Sequence, residues 1–480
     1  MIGYRMKENT KYQDVEAHIR QLIHAGTLVE HDKLPSIRHL SQQQQVSRNT
    51  VIRAYQELEA AGIVYPVPRS GYCIQQKPLP EFTLVSDPNH VDLLSVTKSI
   101  LAQPLIEHTM PAGSAHPNID GPAIRSLYAE IGRHSRYQTQ IPSHYQLPPG
   151  NSTLIKQLIK ITQDCGITAH SNEISITHGA QQAISLALRA LTKPGDIVIV
   201  ESPCYFGNLL LMESLDLQVI EIPSSIDSGI DIKALKEAIS LWDIAAILVT
   251  PNFNNPTGSR MPLAARQALL DESQNIPIIE DDVFGALSFD APLPSLKSLD
   301  KGNRVIYCNS LSKTLDSRLR VGWILAGQYQ RKIEKYLISD NMGSLNLMQS
   351  ALGEFLTTGK YRQHLSKMKK HYHSNQKRFS TQLIKALNQH DNLRGQFQLS
   401  RPQGAFLSWL ILPPAVDSYA IYQECLKAKV SVLPGTIFGT HDQYKHCIRF
   451  SCASYQDNDK WAEGVERFAN IVATHLTEQG

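Results

Sequence analysis

Cysteine is scarce and unpatterned in this chain of 480 residues: there are seven, Cys73, Cys165, Cys204, Cys308, Cys425, Cys447 and Cys452. No pair has CxxC spacing and the number is odd, which speaks against a zinc ribbon or a disulfide framework and fits reduced thiols in a cytosol. A charge of one sign is equally lacking. Forty-seven Lys and Arg face 44 Asp and Glu, for a net charge of +3, too little to argue for nucleic acid by composition. No apolar run reaches about 18 residues and no apolar core follows a basic start, so neither a membrane span nor a secretory leader is expected. The chain is expected to be soluble and cytoplasmic. With 42% hydrophobic residues it can bury several cores, and two or three domains are expected.

What is present begins with residues 1–75. Val15, Ile19, Leu22 and Ile23 recur at helical spacing from Tyr12 to Ala25, ahead of Gly26. Ser36 is placed to cap a second short helix containing Arg38 and Leu40, and Ser47 a third whose inner side is Val51, Tyr55 and Leu58. Residues 63–65 and 72–74 then alternate around Pro66 to Gly71, as the strands of a small wing would. Arg48, Asn49, Thr50 and Arg53 fall opposite the apolar stripe of the third helix, where they can reach phosphates and base edges in a major groove. Arg69 at the wing tip is placed for the neighbouring minor groove. Residues 76–116 show no sustained period and read as a linker that becomes ordered where it meets the next domain.

From about residue 117, helical patterns alternate with short apolar strands, the mark of an α/β domain with a mostly parallel sheet. Ligands of such sheets sit beyond the strand ends. There stand Gly179-Ala180-Gln181 at a turn opening a helix, Tyr205, Asn255 before a tight turn, and Glu280-Asp281-Asp282. Beyond them, Ser310-Leu311-Ser312-Lys313 and Arg320 supply two hydroxyls, an amine and a fixed cation. A phosphorylated aldehyde such as pyridoxal phosphate (PLP) would need such groups: Lys313 for a Schiff base, Ser310, Ser312 and Arg320 for the phosphate. A carboxylate at a strand end can pair with a protonated pyridine nitrogen, and Tyr205 can stack on the ring.

These motifs resemble two known families. The run from Leu34-Pro35-Ser36 through Ser47-Arg48-Asn49-Thr50 to Gly71-Tyr72 resembles the GntR-type winged helix-turn-helix, which implies DNA contacts from Ser36, Arg38, Ser47, Arg48, Asn49, Thr50, Arg53 and Arg69. The run from Tyr145 to Arg449 resembles fold-type I PLP enzymes of the aminotransferase class I and II group. By position this implies phosphate binding by Gly179, Ala180, Gln181, Ser310, Ser312 and Arg320, and stacking by Tyr205. It further implies contact of Asn255 with the phenolic O3′, pairing of Asp281 with the ring nitrogen, a Schiff base at Lys313, and a carboxylate grip by Arg449. Two departures stand out. Phe284 replaces a tyrosine that would donate to O3′, and Asp316, Ser317 and Arg318 stand where a proline and glycine are usual.

Together the parts resemble the MocR/GabR family of bacterial transcription regulators. The resemblance implies a PLP-dependent regulator of double-stranded operator DNA, sensing a small amine or amino acid (or PLP itself) as a head-to-tail homodimer. Its large domain would span about 117–340 and its small domain about 341–480. The alternative is a catalytically active aminotransferase with an appended DNA reader. A basic stretch from Lys360 to Arg378 reads either as a solvated helix face or as an accessory surface for bent DNA.

Overall fold

The computed structural model describes residues 10–24, 27–28, 31–67, 70–75, 87–101, 109–138, 140, 144–226 and 229–479. At the N-terminus, helices α1 (Lys11–His24), α2 (Ile37–Gln43) and α3 (Arg48–Ala60) enclose a small core of Val15, Ile19, Leu40, Val51, Tyr55 and Leu58. Burying each such aliphatic side chain contributes about 1.5–3 kcal/mol. Ser36 Oγ accepts the His39 N–H at 3.2 Å and Ser47 Oγ the Thr50 N–H at 3.1 Å, so both expected caps form. Strands β1 (Val64–Val67) and β2 (Gly71–Ile74) pair antiparallel, with Val64 opposite Ile74. The hairpin turn is shorter than expected, because Pro66 lies within β1 opposite Tyr72. A two-stranded ribbon has only edge strands, where proline's missing donor is tolerated.

Part of the stretch expected as linker is taken into the following body. Strand β3 (Asn89–His90) joins the edge of the large sheet, helix α4 (Leu94–Leu101) follows, and strand β4 (Met110–Pro111) joins a strand of the small domain. Two-residue strands have no period to detect; their partners, far along the chain, define them.

The large sheet holds β5 (Ile174–Thr177), β6 (Ile197–Ser202), β7 (Gln218–Ser225) with its short partner β8 (Gly229–Ile230), β9 (Ile244–Val249), β10 (Ile278–Asp281), β11 (Val305–Ser310) and β12 (Gly322–Leu325). Its order is β3-β7-β6-β9-β10-β11-β12-β5. Pairings from β7 to β11 are parallel, whereas β12 runs antiparallel to both β11 and β5. Helices α5 (Pro122–Gln138), α6 (Ser152–Gln163), α7 (Ala180–Leu191) and α8 (Phe206–Ser214) belong to this body. Helix Asn346–Thr357 also does: its Leu352 and Phe355 share a core with Leu154, Leu158 and Trp323. This helix follows the division expected near residue 341 yet packs on the large-sheet side.

The small domain is built on the 29-residue helix Lys360–Asn388 and an antiparallel sheet of β13 (Gln398–Leu399), β14 (Leu407–Ile411), β16 (Leu433–Pro434) and β17 (Cys447–Ser451); β15 (Val430–Ser431) pairs with β4. The N-terminal domain rests against it. Gln75 Nε2 donates to Phe397 O at 2.7 Å, and Lys377 Nζ lies 3.0 Å from Glu57 of α3.

Candidate functional site

The parallel strands end side by side, and the chemistry collects at those ends. β10 and β11 run in register with Asp281 opposite Cys308. Successive strand residues alternate sides, which sorts the three carboxylates of Glu280-Asp281-Asp282. Glu280 accepts the backbone N–H groups of Leu296 and Lys297, each at 2.9 Å. Asp282 accepts from Tyr307 at 2.7 Å and Asn252 at 2.6 Å. Asp281 instead faces Lys313; burial pushes its carboxyl up to about 7, while the Lys313 charge acts in the opposite direction.

Beyond β11, Ser310 Oγ donates to Ser312 Oγ at 2.8 Å, and the Ser312 N–H donates to Ser310 Oγ at 2.9 Å. Arg320 has a left-handed backbone (φ +52°), and its Nη2 donates to His178 O at 3.2 Å. Gly179, at φ +83°, opens α7 with no side chain capping its N–H groups. A Cβ there would stand 2.8 Å from Arg320 Nη2, so only glycine lets the guanidinium approach this helix end. Two hydroxyls, a guanidinium and the positive end of a helix thus converge as a dianionic phosphate requires. Ala180 and Gln181 form the first turn of α7; the Gln181 side chain is turned away, donating to Gly207 O at 2.5 Å.

Lys313 Nζ donates to Ala115 O at 2.8 Å. Its pKa is lowered to about 8, by burial first and then by the Arg449 and Arg320 charges, with Asp281 opposing. Against an ordinary value of 10.5, the lowered one leaves roughly a quarter of the amine neutral at pH 7.5. Covalent capture of an aldehyde needs the neutral amine. The rate of PLP capture in stopped flow is accordingly expected to rise with pH through about 8 and level off above it.

On β17, Arg449 donates to Asn255 Oδ1 at 3.2 Å and to the carbonyl of Gly113, while its buried Nε has no hydrogen-bond partner. Burial lowers its pKa to about 10, so it remains a cation at neutral pH. Tyr205 stands at the N-cap position of α8 without a capping hydrogen bond, and its hydroxyl, pushed up by burial, also feels the Arg449, Asp281 and Arg320 charges, which puts it near the same groups. Phe284 is buried, with Lys313 Nζ 5.8 Å from its ring centroid and Phe406 edge-on at 5.6 Å. Phe284→Tyr is expected to shift the pH midpoint of the bound cofactor's visible spectrum by about half a unit or more, since a new donor near the phenolic oxygen favours its anion. An unchanged spectrum would put Phe284 out of contact with the cofactor.

In the N-terminal domain, Arg38, Arg48 and Asn49 are exposed and Thr50 is half-buried at the start of α3. Arg53 is exposed but stacked, its guanidinium 4.1 Å above the Tyr12 ring. Ser36 and Ser47, expected at the DNA surface, spend their side chains on the caps described above. Arg69 lies outside the described residues.

Residues 11–74 match the family model for bacterial regulatory proteins of the gntR family, and residues 129–468 that for aminotransferase class I and II. The chain is 34% identical to the HTH-type transcriptional regulator YjiR of Escherichia coli over 92% of its length and 95% of that protein's. It is 30% identical to YdcR of the same organism, over 97% and 100%. The chain belongs to the MocR/GabR family of transcription regulators. Among solved structures, the kynurenine aminotransferase of Pyrococcus horikoshii matches this MocR/GabR chain with a TM-score of 0.69 and 26% identity, over 81% of the chain and 95% of the enzyme. LysN, an α-aminoadipate aminotransferase of Thermus thermophilus, matches the fold with a TM-score of 0.70 at 24% identity, over 80% and 95%.

PLP fits the residues of this MocR/GabR domain. The glycine at 179 leaves a cradle that a Cβ would fill beside Arg320, and Lys313 lies close enough to Asp281 and Arg320 for their charges to act on it. The sequence reading missed what covers that cleft. His116 Nδ1 pairs with Ser317 Oγ at 2.7 Å, Ala115 meets Lys313, and Gly113 meets Arg449, so the segment arriving from the DNA-binding side lies across both cations. The departures at 316–318 are also explained. Asp316 caps its own turn through the Arg318 N–H, accepts from Tyr128 at 2.8 Å, and pairs with Arg318 at 2.6 Å. Among the described residues, no cluster of potential metal ligands occurs and no helix is long and apolar enough to cross a membrane.

Proposed function

We propose that this regulator senses a primary amine bearing a carboxylate, an amino acid or close analogue, and converts its binding into altered DNA affinity. When bound, PLP supplies an aldehyde that links reversibly to primary amines. The rest is done by the chain. Ser310, Ser312, Arg320 and the first turn of α7 hold the phosphate, Asp281 keeps a proton on the ring nitrogen, and Tyr205 covers the ring face. Asn255 meets the phenolic oxygen. Lys313 would hold or release a proton at Nζ near neutral pH, the property needed of an amine that gives way to another. Arg449 offers a planar fork to the effector carboxylate.

The observation that carries the reading is the position of residues 113–116. They touch Lys313, Arg449 and the Ser317 loop, and they follow the DNA-binding domain in the chain. An effector that engages Lys313 and Arg449 competes with the Ala115 and Gly113 carbonyls for both cations. It thereby favours one arrangement of that segment over another, which is the differential affinity coupling requires. Arg38, Arg48, Asn49, Thr50 and Arg53 would contact operator DNA, in the cytoplasm, and a second copy of the chain in head-to-tail arrangement would supply the second half-site reader.

An amino-acid panel titrated against the PLP-loaded protein tests the sensor reading. Amino acids are expected to shift the visible cofactor spectrum where the corresponding amines lacking a carboxylate do not, with no keto acid released on prolonged incubation. Steady release of keto acid would make the protein a catalyst instead.

A further inference from the structure

The helix Lys360–Asn388 carries eight Lys and Arg and not one carboxylate in 29 residues. Its outward face repeats at helical spacing, with Lys367, Lys370, Lys377 and Lys385 all exposed. Along it runs a groove of about 640 Å³ bordered by Lys370, His373, Lys377, Arg378 and Lys385. A second groove of about 470 Å³ shares Lys377 and Thr381 with the first and is completed by Asn49, Arg53 and Gln56 from the outer face of α3. The two form one trough from the helix that faces DNA onto the effector domain.

We infer that this trough is a second DNA surface, on which the long helix takes the phosphates of the duplex running past the base-reading helix. The inference rests on the DNA-binding role proposed above. Charge complementarity and continuity with α3 support it. The acidic neighbours are few: Glu57 pairs with Lys377, Asp457 with Arg378, Glu59 lies near Lys385 and Asp164 near Lys369. Among the described residues Arg362, Lys367 and Lys370 have no carboxylate partner, so their charge is free for phosphates. From Lys367 to Lys385 the helix rises about 27 Å, the length of about eight base pairs. Lys370 and Lys367 lie about 11 and 15 Å along the helix from Lys377, which borders α3, within reach of a duplex that continues a few base pairs past the base-reading helix.

The test measures a labelled mixed-sequence duplex of about 40 base pairs by fluorescence anisotropy with full-length, PLP-loaded protein. The double variant Lys367→Gln/Lys370→Gln exchanges two exposed side chains and is expected to keep the fold and cofactor spectrum, and the control variant Lys233→Gln/Lys236→Gln exchanges two exposed lysines that border neither groove. The affinity of the first is expected to fall at least about fivefold, and its slope of log affinity against log salt to drop by about 1.8, two phosphate contacts' worth. The control should match the wild type in both. A wild-type affinity in the first variant, or an equal loss in the control, would overturn the inference. A loss that tracks dissociation of the homodimer in sedimentation would do the same, by making the face a contact between protomers. If wild-type protein did not bind the duplex, or bound it regardless of Arg48→Ala, the DNA-reading proposal itself would fail.

Discussion

Lys313→Ala is expected to leave no borohydride-reducible cofactor on the protein and no spectral response to any amine. Among the described residues, Lys313 is the lysine whose charge acts on Asp281, and it is the amine assigned to the cofactor. The phosphate donors Ser310, Ser312, Arg320 and the α7 terminus are untouched by the substitution, and PLP should still bind non-covalently, weaker by roughly a hundredfold, about 2.7 kcal/mol. The variant should fold, since Lys313 is a cation made costly by burial, as its lowered pKa records. Mass spectrometry after borohydride reduction checks the result. A stable adduct in the variant would mean that another residue carries the cofactor.

Arg48→Ala should produce the second large effect, this time on DNA alone. Arg48 is exposed at the first position of α3, one residue beyond the Ser47 cap, and among the described residues its side chain makes no hydrogen bond or ion pair. Stability should change by no more than about 0.5 kcal/mol and the cofactor spectrum not at all. Operator affinity should fall by about 1–3 kcal/mol, concentrated at one base position if Arg48 reads a base edge and spread evenly if it holds a phosphate. Arg53→Ala should lose a similar amount, but it also removes the stack on Tyr12, so a modest loss of stability should accompany it. Competition anisotropy with single-base operator variants separates the two modes. Full operator affinity in a chain lacking residues 1–75 would place the DNA surface elsewhere.

The parts of the molecule most legible in sequence were those with local causes. Ser36 and Ser47 announced helices because a hydroxyl before an apolar period has one obvious task, and the structure shows both caps. Glu280-Asp281-Asp282, Ser310 to Lys313 and Arg320 follow strands whose apolar runs are unmistakable, so the cleft could be assembled strand end by strand end. Long-range features were not legible. β12, which places Gly322 beside Gly179, has no signal apart from its antiparallel neighbours. Gly113, Ala115 and His116 lie in a stretch without period, and their role exists only because that stretch folds back across about 200 residues of chain to Lys313 and Ser317. The same holds for helix Asn346–Thr357, which looks the same in sequence whichever body it joins; its packing with α5 and α6 is what the structure adds.

Coupling between the amine and the DNA is the heart of the proposal, and one titration reaches it. With PLP-loaded, full-length protein on labelled operator, an amino acid that shifts the cofactor spectrum should change DNA affinity by about 5- to 150-fold. By reciprocity, saturating DNA should change the affinity for that amino acid by the same factor. An amino acid that shifts the spectrum through Lys313 while DNA affinity stays constant across the whole titration would contradict it.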